Sequence, residues 1–179
     1  MHPTTLVIGG CRSGKSRHAL EMAHAAPARR KLFVATCEPA DGEMDERVRR
    51  HQQERGPSWH TVEAPLELAA AILQAATAHD VAVVDCLTLW LSNLLLAHPK
   101  DPAAIDSRVE ALCDVLAAPP CPLLLVTNEV GSGIVPENAL ARRYRDLVGQ
   151  TNQRVAAACR QVVWMVAGIA VPIKTAPLG

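Results

Sequence analysis

The stretch Gly9-Gly10-Cys11-Arg12-Ser13-Gly14-Lys15-Ser16 is the part of the sequence that most strongly indicates the fold. It fits the pattern G-x-x-x-x-G-K-[ST] of a phosphate-binding loop. The glycines allow the backbone to curl so that successive N–H groups point at phosphate oxygens. The β-rich run Thr4–Ile8 precedes the loop, and residues 15–26 after it lack a helix breaker. The sequence therefore predicts a strand, a phosphate-binding loop and a helix, with the positive end of the helix dipole facing the phosphates.

Two side chains of the loop have expected chemical roles. Lys15 would bring a mobile positive charge to the outer phosphates of a nucleotide, and the Ser16 hydroxyl would ligate Mg²⁺. Asp85 closes the apolar run Val81–Val84, which is the pattern of a magnesium-associated carboxylate in such nucleotide binders. A strand-end aspartate can also cap the next turn, but the loop upstream favours the magnesium role.

Short apolar runs alternate with segments that are compatible with helices. The strand-like runs are Leu6–Ile8, Leu32–Ala35, Val81–Val84, Leu123–Thr127 and Val162–Val166. This alternation predicts an α/β fold with a mostly parallel sheet flanked by helices. The stretch Gly168–Lys174 can add a final strand, which Pro172 confines to an edge. The 179 residues are expected to form one domain, 1–179.

Ligands of such sheets bind at the carboxyl ends of the strands. This rule selects four places: the loop after Ile8, the residues after Val34, Asp85, and the loop after Thr127. The last of these carries Glu129 and two glycines, and it is long enough to border a ligand.

In the helix expected from Glu137 onward, Arg142 and Asp146 lie four residues apart. That spacing is typical of an exposed ion pair. The sequence alone assigns no further role to Glu129, Arg142 or Asp146.

Composition argues for a folded protein and weighs mildly against nucleic-acid binding. Apolar residues make up 49% of the chain, which favours a globular core over disorder. Eighteen basic and eighteen acidic residues cancel, whereas nucleic-acid binders usually carry a basic excess. We therefore expect no nucleic-acid partner, although a local basic patch is compatible with zero net charge.

The cysteines and the absence of targeting patterns favour a reduced, cytoplasmic protein. The six cysteines form no C-x-x-C pair, and several lie inside apolar runs. The segment Met1–Thr5 is too short for a secretory signal and lacks an apolar core. The chain has no uninterrupted apolar run long enough to cross a bilayer.

A charged segment, Glu43–Arg55, is the most informative remaining feature. Acidic residues cluster at its start and basic ones toward its end, as the helix dipole prefers. On a helix, His51 would share one face with Met44 and Val48, with arginines within one turn. Composition by itself favours a buried or capping histidine here over a catalytic one.

Several blocks together resemble one family. The blocks are Gly9–Arg17, Ala35-Thr36, Glu43-Met44, Arg47, His51, Arg55, Pro57, Trp59, Thr61, Glu63, Asp85–Thr88, Asn93-Leu94, Thr127–Gly131, Ile134–Asn138, Arg142, Asp146, Gly149, Asn152-Gln153 and Gly168. The first of them is similar to the G-G-x-R-S-G-K-S-R loop of bacterial adenosylcobinamide kinase/adenosylcobinamide-phosphate guanylyltransferase. The resemblance to this family runs over nearly the whole chain.

The resemblance implies a phosphate-loop domain like the recombinase core, assembled as a homotrimer. It also implies that His51 is the histidine that becomes covalently guanylylated, so it overrides the expectation from composition. By the same resemblance, the residues associated with GTP are Gly9, Gly10, Cys11, Arg12, Ser13, Gly14, Lys15, Ser16, Ala35, Thr36, Cys37, Gln52, Gln53, Glu54, Arg55, Glu63 and Asp85.

The implied function is a pair of reactions in cobalamin biosynthesis. ATP or GTP phosphorylates adenosylcobinamide, and GMP from GTP is then transferred to give adenosylcobinamide-GDP. Catalytic roles fall to Lys15 and His51, with Mg²⁺ held near Ser16 and Asp85. Two alternatives stay open: a monofunctional phosphate-loop kinase, for which His51 would be incidental, and a recombinase-like motor module. Zero net charge and small size weigh against the motor module.

Overall fold

The computed structural model describes residues 2–37 and 58–175. Within these ranges the strands are β1 (Thr4–Gly9), β2 (Lys31–Ala35), β3 (Trp59–Glu63), β4 (Val81–Asp85), β5 (Leu123–Asn128), β6 (Gln161–Val166) and β7 (Ile169–Lys174). The helices in the same ranges are α1 (Lys15–Ala25), α2 (Leu68–Ala76), α3 (Leu87–Ala97), α4 (Pro102–Ala117) and α5 (Ala139–Ala158).

The strands form one sheet in the order β3-β2-β4-β5-β1-β6-β7. All neighbouring strands are parallel except β6 and β7, which run antiparallel. The predicted mostly parallel sheet is therefore confirmed, and each of the five apolar runs lies in a strand. The final strand predicted around Pro172 is also present, and it occupies the end of the sheet.

Both faces of the central strands are buried, which explains why their sequences are apolar without strict alternation. Successive residues enter opposite layers because strand side chains alternate between faces. Leu6 belongs to the larger core, which contains α2 to α5, whereas Val7 belongs to the smaller core with Ala19 and Ala23 of α1. Trp90 of α3 is fully buried in the larger core.

Side-chain caps mark the starts of α4 and α5. The Asp101 carboxylate accepts a hydrogen bond from the backbone N–H of Ala104 at the start of α4, where Pro102 is in the first turn. At α5, the Asn138 side chain accepts from the N–H of Ala141 at 3.0 Å. This cap makes α5 begin at Ala139, two residues later than the start at Glu137 predicted from the sequence.

Strand β3 was not predicted, because its short sequence Trp59–Glu63 lies at the sheet end and is only partly buried. The segment Glu43–Arg55, with His51, lies outside the described residues. Among the helices described, none is long and apolar enough to span a membrane.

Candidate nucleotide-binding site

The carboxyl ends of four central strands meet at one edge of the sheet, as the parallel arrangement requires. Ala35 is paired with Asp85 on β4 and with Glu63 on β3, so these three residues form a row across the sheet. On the other side of β4, Gly9 is paired with Asn128 at the end of β5. The structure thus brings together all four places that the strand-end rule selected.

The phosphate loop leaves β1 in a tightly curled conformation. Arg12 has φ 53° and Gly14 has φ 92°, both in the left-handed region. Hydrogen bonds hold the loop from two sides: the N–H of Gly168 donates to the Ser13 carbonyl at 3.1 Å, and the N–H of Glu129 donates to the Gly9 carbonyl at 3.0 Å. The loop is therefore fixed by both the β6–β7 turn and the chain after β5.

Lys15 is buried at the base of this loop, with 7% of its surface exposed. Its Nζ donates to the Gly10 carbonyl at 2.6 Å and to Ser13 Oγ at 3.5 Å. Burial lowers the pKa of the Lys15 ammonium, while the nearby Cys86, Asp85 and Cys11 act in the opposite direction. An anion placed against the loop would offset this desolvation, so the geometry favours binding of a phosphate group.

Ser16 and Asp85 offer the donor types that Mg²⁺ prefers, a hydroxyl and a carboxylate oxygen. Asp85 ends β4, which only β5 separates from β1 and its loop, and its carboxylate acts to raise the pKa of Lys15. Among residues 2–37 and 58–175, no three or more His, Cys, Asp or Glu side chains are grouped to hold a metal ion. These donors fit Mg²⁺, because Mg²⁺ is usually bound through one or two protein oxygens together with substrate phosphates.

A buried polar network beneath the strand ends was not predicted from the sequence. Thr127 Oγ1 donates to Asn152 Oδ1 at 2.8 Å, and Asn152 Nδ2 donates to the Asn128 carbonyl at 3.1 Å. Asn128 Nδ2 in turn donates to Thr88 Oγ1 at 3.1 Å, and the Tyr144 hydroxyl donates to the Thr88 carbonyl at 3.0 Å. The network ties the end of β5 to the start of α3 and to α5.

The sequence holds only a weak indication of this network. Thr88, Asn128 and Asn152 lie in blocks of the family resemblance, but their partners are 24 to 56 residues away. Burial raises the pKa of Tyr144, so its hydroxyl stays protonated and available as a donor.

The structure places the three residues whose roles the sequence left open, and two of them make hydrogen bonds. Glu129 Oε1 accepts from the N–H of Gly131 at 2.8 Å. Arg142 Nη1 donates to the carbonyls of Pro136 and Glu137, at 3.0 and 2.5 Å. Within the described residues, no ion pair joins Arg142 to Asp146. Arg142 instead stabilises the loop before α5 through these two hydrogen bonds. Asp146 lines a groove of about 520 Å³ between α4 and α5.

The remaining sequence-predicted site residues divide into two groups. Thr36 and Cys37 directly follow β2, and Cys11 is exposed on the loop. All six cysteines are free thiols. His51 and Gln52–Arg55 lie outside the described residues.

Two solved structures with the same fold share little sequence with this chain. A prototypical ATPase of a bacterial type III secretion system aligns with a TM-score of 0.57 at 10% identity, covering 95% of this chain and 56% of the ATPase. The flagellar accessory protein FlaH from Methanocaldococcus jannaschii aligns with a TM-score of 0.51 at 10% identity, over 97% of this chain and 79% of FlaH. These similarities support the phosphate-loop α/β fold.

Other relatives are much more similar to this chain in sequence than these two structures are. The chain is 44% identical to the bifunctional adenosylcobalamin biosynthesis protein CobP of Pseudomonas aeruginosa, over 97% of this chain and 98% of the relative. It is 41% identical to the bifunctional protein CobU of Salmonella typhimurium, over 94% and 98% of the two chains. The family model of cobinamide kinase / cobinamide phosphate guanyltransferase matches residues 5–173. The chain therefore belongs to the cobinamide kinase / cobinamide phosphate guanyltransferase family of enzymes.

Proposed function

We propose that this chain catalyses two successive transfers in cobalamin biosynthesis. It phosphorylates adenosylcobinamide with ATP or GTP, and it then transfers GMP from GTP to give adenosylcobinamide-GDP. The observation that carries this proposal is the family match over residues 5–173, which contains one complete phosphate loop. A monofunctional kinase is the less supported alternative, because the relatives are bifunctional proteins.

In the kinase step, the γ-phosphoryl group moves from the triphosphate to the hydroxyl of the aminopropanol arm of adenosylcobinamide. The P–O bond to the β-phosphate breaks and the nucleoside diphosphate leaves with its electron pair, while the hydroxyl gives its proton to solvent as the new P–O bond forms. Lys15 and the loop N–H groups stabilise the charge on the phosphates, because such transfers depend on positioning and electrostatics. Ser16 and Asp85 would hold Mg²⁺, which supplies further charge neutralisation at the phosphates.

In the second step, the neutral imidazole of His51 attacks the α-phosphorus of GTP, and pyrophosphate leaves with the electrons of the broken P–O bond. A phosphate oxygen of the phosphorylated corrinoid then attacks the same phosphorus. The P–N bond breaks, His51 is regenerated and a diphosphate linkage forms. Histidine suits this role because a large fraction of its imidazole is uncharged near neutral pH. Arg47 and Arg55, each four residues from His51 in sequence, are candidates to stabilise the added charge.

The same proposal places residues 35–37, Glu63 and residues 52–55 in the GTP site. For the described residues, the proposal is supported by their positions. Glu63, Ala35 and Asp85 are neighbours at the ends of three adjacent strands. A nucleotide seated on the phosphate loop would extend along this row.

We further propose that the chain forms one domain, assembles as a homotrimer and works in the cytoplasm. The support for assembly is an apolar surface on one face of β6 and β7, where the paired residues Trp164 and Val171 and the paired residues Val166 and Ile169 are all exposed. Contiguous exposed apolar surface is typical of a protein interface. The free thiols fit a reducing compartment.

Trapping of a covalent nucleotide tests the central proposal. The protein is incubated with α-³²P-GTP and Mg²⁺ without corrinoid, denatured and analysed by mass spectrometry. We expect an adduct of one GMP on residue 51, which addition of corrinoid phosphate before denaturation removes. A protein that phosphorylates adenosylcobinamide but traps no nucleotide would be a monofunctional kinase. Light scattering after gel filtration tests the trimer, and Trp164→Asp is expected to shift it toward smaller species.

A further inference from the structure

Thr36 lies directly after β2 and is fully buried. Its hydroxyl makes two hydrogen bonds to the same residue on the neighbouring strand end: it donates to the Cys86 carbonyl at 2.7 Å and accepts from the Cys86 N–H at 2.9 Å. One hydroxyl thus holds both peptide groups that flank Cys86, the residue after Asp85.

The backbone N–H and carbonyl of Thr36 are also hydrogen-bonded within the protein. Its N–H donates to the Asp85 carbonyl at 3.3 Å, and its carbonyl accepts from Asn93 Nδ2 at 2.8 Å. Every hydrogen-bonding group of Thr36 therefore has a protein partner, and the residue has no exposed surface through which it could contact a ligand.

The sheet itself explains why this arrangement is needed. The pairing of β2 with β4 ends at Ala35 and Asp85, and α3 begins two residues later at Leu87. The peptide groups of Cys86 lie beyond this ladder at the point where the chain turns. Buried peptide groups require partners. The Thr36 hydroxyl provides one for the Cys86 N–H and a second for the Cys86 carbonyl, which also accepts from the Trp90 N–H at 3.2 Å.

We propose that Thr36 is a positioning residue that fixes the Asp85–Cys86 segment, and so holds the Asp85 carboxylate toward the phosphate loop, without binding the nucleotide itself. This inference rests on the proposed role of Asp85 in holding Mg²⁺. The family resemblance groups Thr36 with the residues associated with GTP. The inference assigns Thr36 a supporting role in that site, without contact to the nucleotide.

Binding of GDP with and without Mg²⁺ provides a test that does not depend on turnover. Titration calorimetry is carried out with GDP in excess Mg²⁺ and with GDP in EDTA. The ratio of the affinity in Mg²⁺ to the affinity in EDTA is the Mg²⁺-dependent gain in affinity. This gain measures how strongly the site holds the metal. Thr36→Val removes the hydroxyl while keeping the shape, and Thr36→Ser keeps the hydroxyl. Thr36→Ala removes the same hydroxyl without adding a methyl group, and it replaces the valine variant if that variant does not fold.

We expect Thr36→Val to reduce the Mg²⁺-dependent gain in affinity at least five-fold, while the affinity for GDP in EDTA stays within two-fold of wild type. Asp85→Asn should show the same loss, and Thr36→Ser should retain the wild-type gain within two-fold. The matched control is Thr5→Val, which removes the hydrogen bond from the buried Thr5 Oγ1 to Gln161 Oε1 at 3.0 Å. This control lies near the opposite end of the strands and should leave the gain unchanged.

Two results for the Thr36 variants would overturn the inference. Equal weakening of GDP binding with and without Mg²⁺ would indicate a direct contribution of Thr36 to nucleotide binding, and an unchanged Mg²⁺ gain would show that Asp85 does not depend on Thr36. An unchanged gain in Asp85→Asn would overturn the metal role of Asp85, and this inference with it. The two-step function would be unaffected, because trapping of GMP tests that function separately.

Discussion

Gly9 and Met165 approach each other so closely that a Cβ atom on Gly9 would lie 2.4 Å from the Met165 carbonyl oxygen. The two residues are partners in the parallel pairing of β1 with β6. The same Cβ would lie 2.8 Å from Ser13 Oγ, on the loop that curls back over the strand end. The first glycine of the phosphate loop is therefore required by sheet packing as well as by the path of the loop.

Gly9→Ala is expected to lower the free energy of unfolding by about 1–3 kcal/mol, because the contact is with backbone and cannot be relieved by a side-chain rotation. Urea unfolding measures the change. Gly10→Ala is the matched control, since a Cβ there meets no atom within 4 Å, and it should stay within about 0.5 kcal/mol of wild type. Equal stability of the two variants would contradict the close packing at Gly9.

Lys15→Ala is expected to slow both the phosphorylation and the guanylyl transfer about 100-fold or more, because both reactions would place polyphosphate on the same loop. The two rates are measured in separate assays. Lys100→Ala, which changes an exposed lysine, serves as the control. A wild-type rate for Lys15→Ala in either assay would reveal a second nucleotide site.

Asp85→Asn is expected to raise the Mg²⁺ concentration needed for half-maximal turnover about ten-fold, because the neutral amide is a weaker ligand for a hard cation. Nucleotide affinity in EDTA should change little, since the loop N–H groups remain. Turnover is measured across a magnesium titration, with the exposed Asp114→Asn as control. An unchanged titration curve would return Asp85 to a structural role in the turn before α3.

His51→Ala is expected to abolish the covalent GMP adduct and the guanylyl transfer while the kinase rate stays within a few-fold of wild type. The reason is that γ-phosphoryl transfer to a hydroxyl needs no protein nucleophile. The wild-type adduct should be labile in acid and stable in base, as a phosphoramidate is. His2→Ala, at an exposed histidine, is the control. An adduct on another residue would contradict the assignment, and equal loss of both activities would point to a structural role for His51.

Protein stability is expected to fall as the pH rises above 9, in part through Cys159. Burial raises the pKa of this thiol from 9.0 to about 12. Between these values the unfolded thiol loses its proton while the folded one keeps it, so ionisation favours the unfolded state. The loss should reach about 1.4 kcal/mol at pH 10 relative to pH 8.

Urea unfolding of wild type and Cys159→Ala at pH 8 and pH 10 measures this contribution. The variant should lose less stability between the two pH values, by about the same amount. Cys121, whose pKa is raised to about 11 by burial, acts in the same direction in both proteins and cancels in the difference. Parallel losses in wild type and variant would rule out a contribution from Cys159.

The sequence by itself determined the features that depend on neighbouring residues. The phosphate loop, the strand before it, the helix after it and the five apolar strands could all be predicted, because glycine spacing, strand-length apolar runs and helix-compatible segments are local patterns. Strand β3 could not, because a partly exposed strand of five residues at the sheet end has only a weak apolar pattern.

The tertiary structure alone decided which distant groups meet. Thr36 and Cys86 are 50 residues apart, Thr127 and Asn152 are 25 apart, and Gly9 and Met165 lie on strands at far ends of the chain. Their contacts depend on the order β3-β2-β4-β5-β1-β6-β7 and on the register between strands. Order and register arise from the packing of whole strands and helices against one another. A hydroxyl in the sequence therefore does not reveal which peptide group it will satisfy.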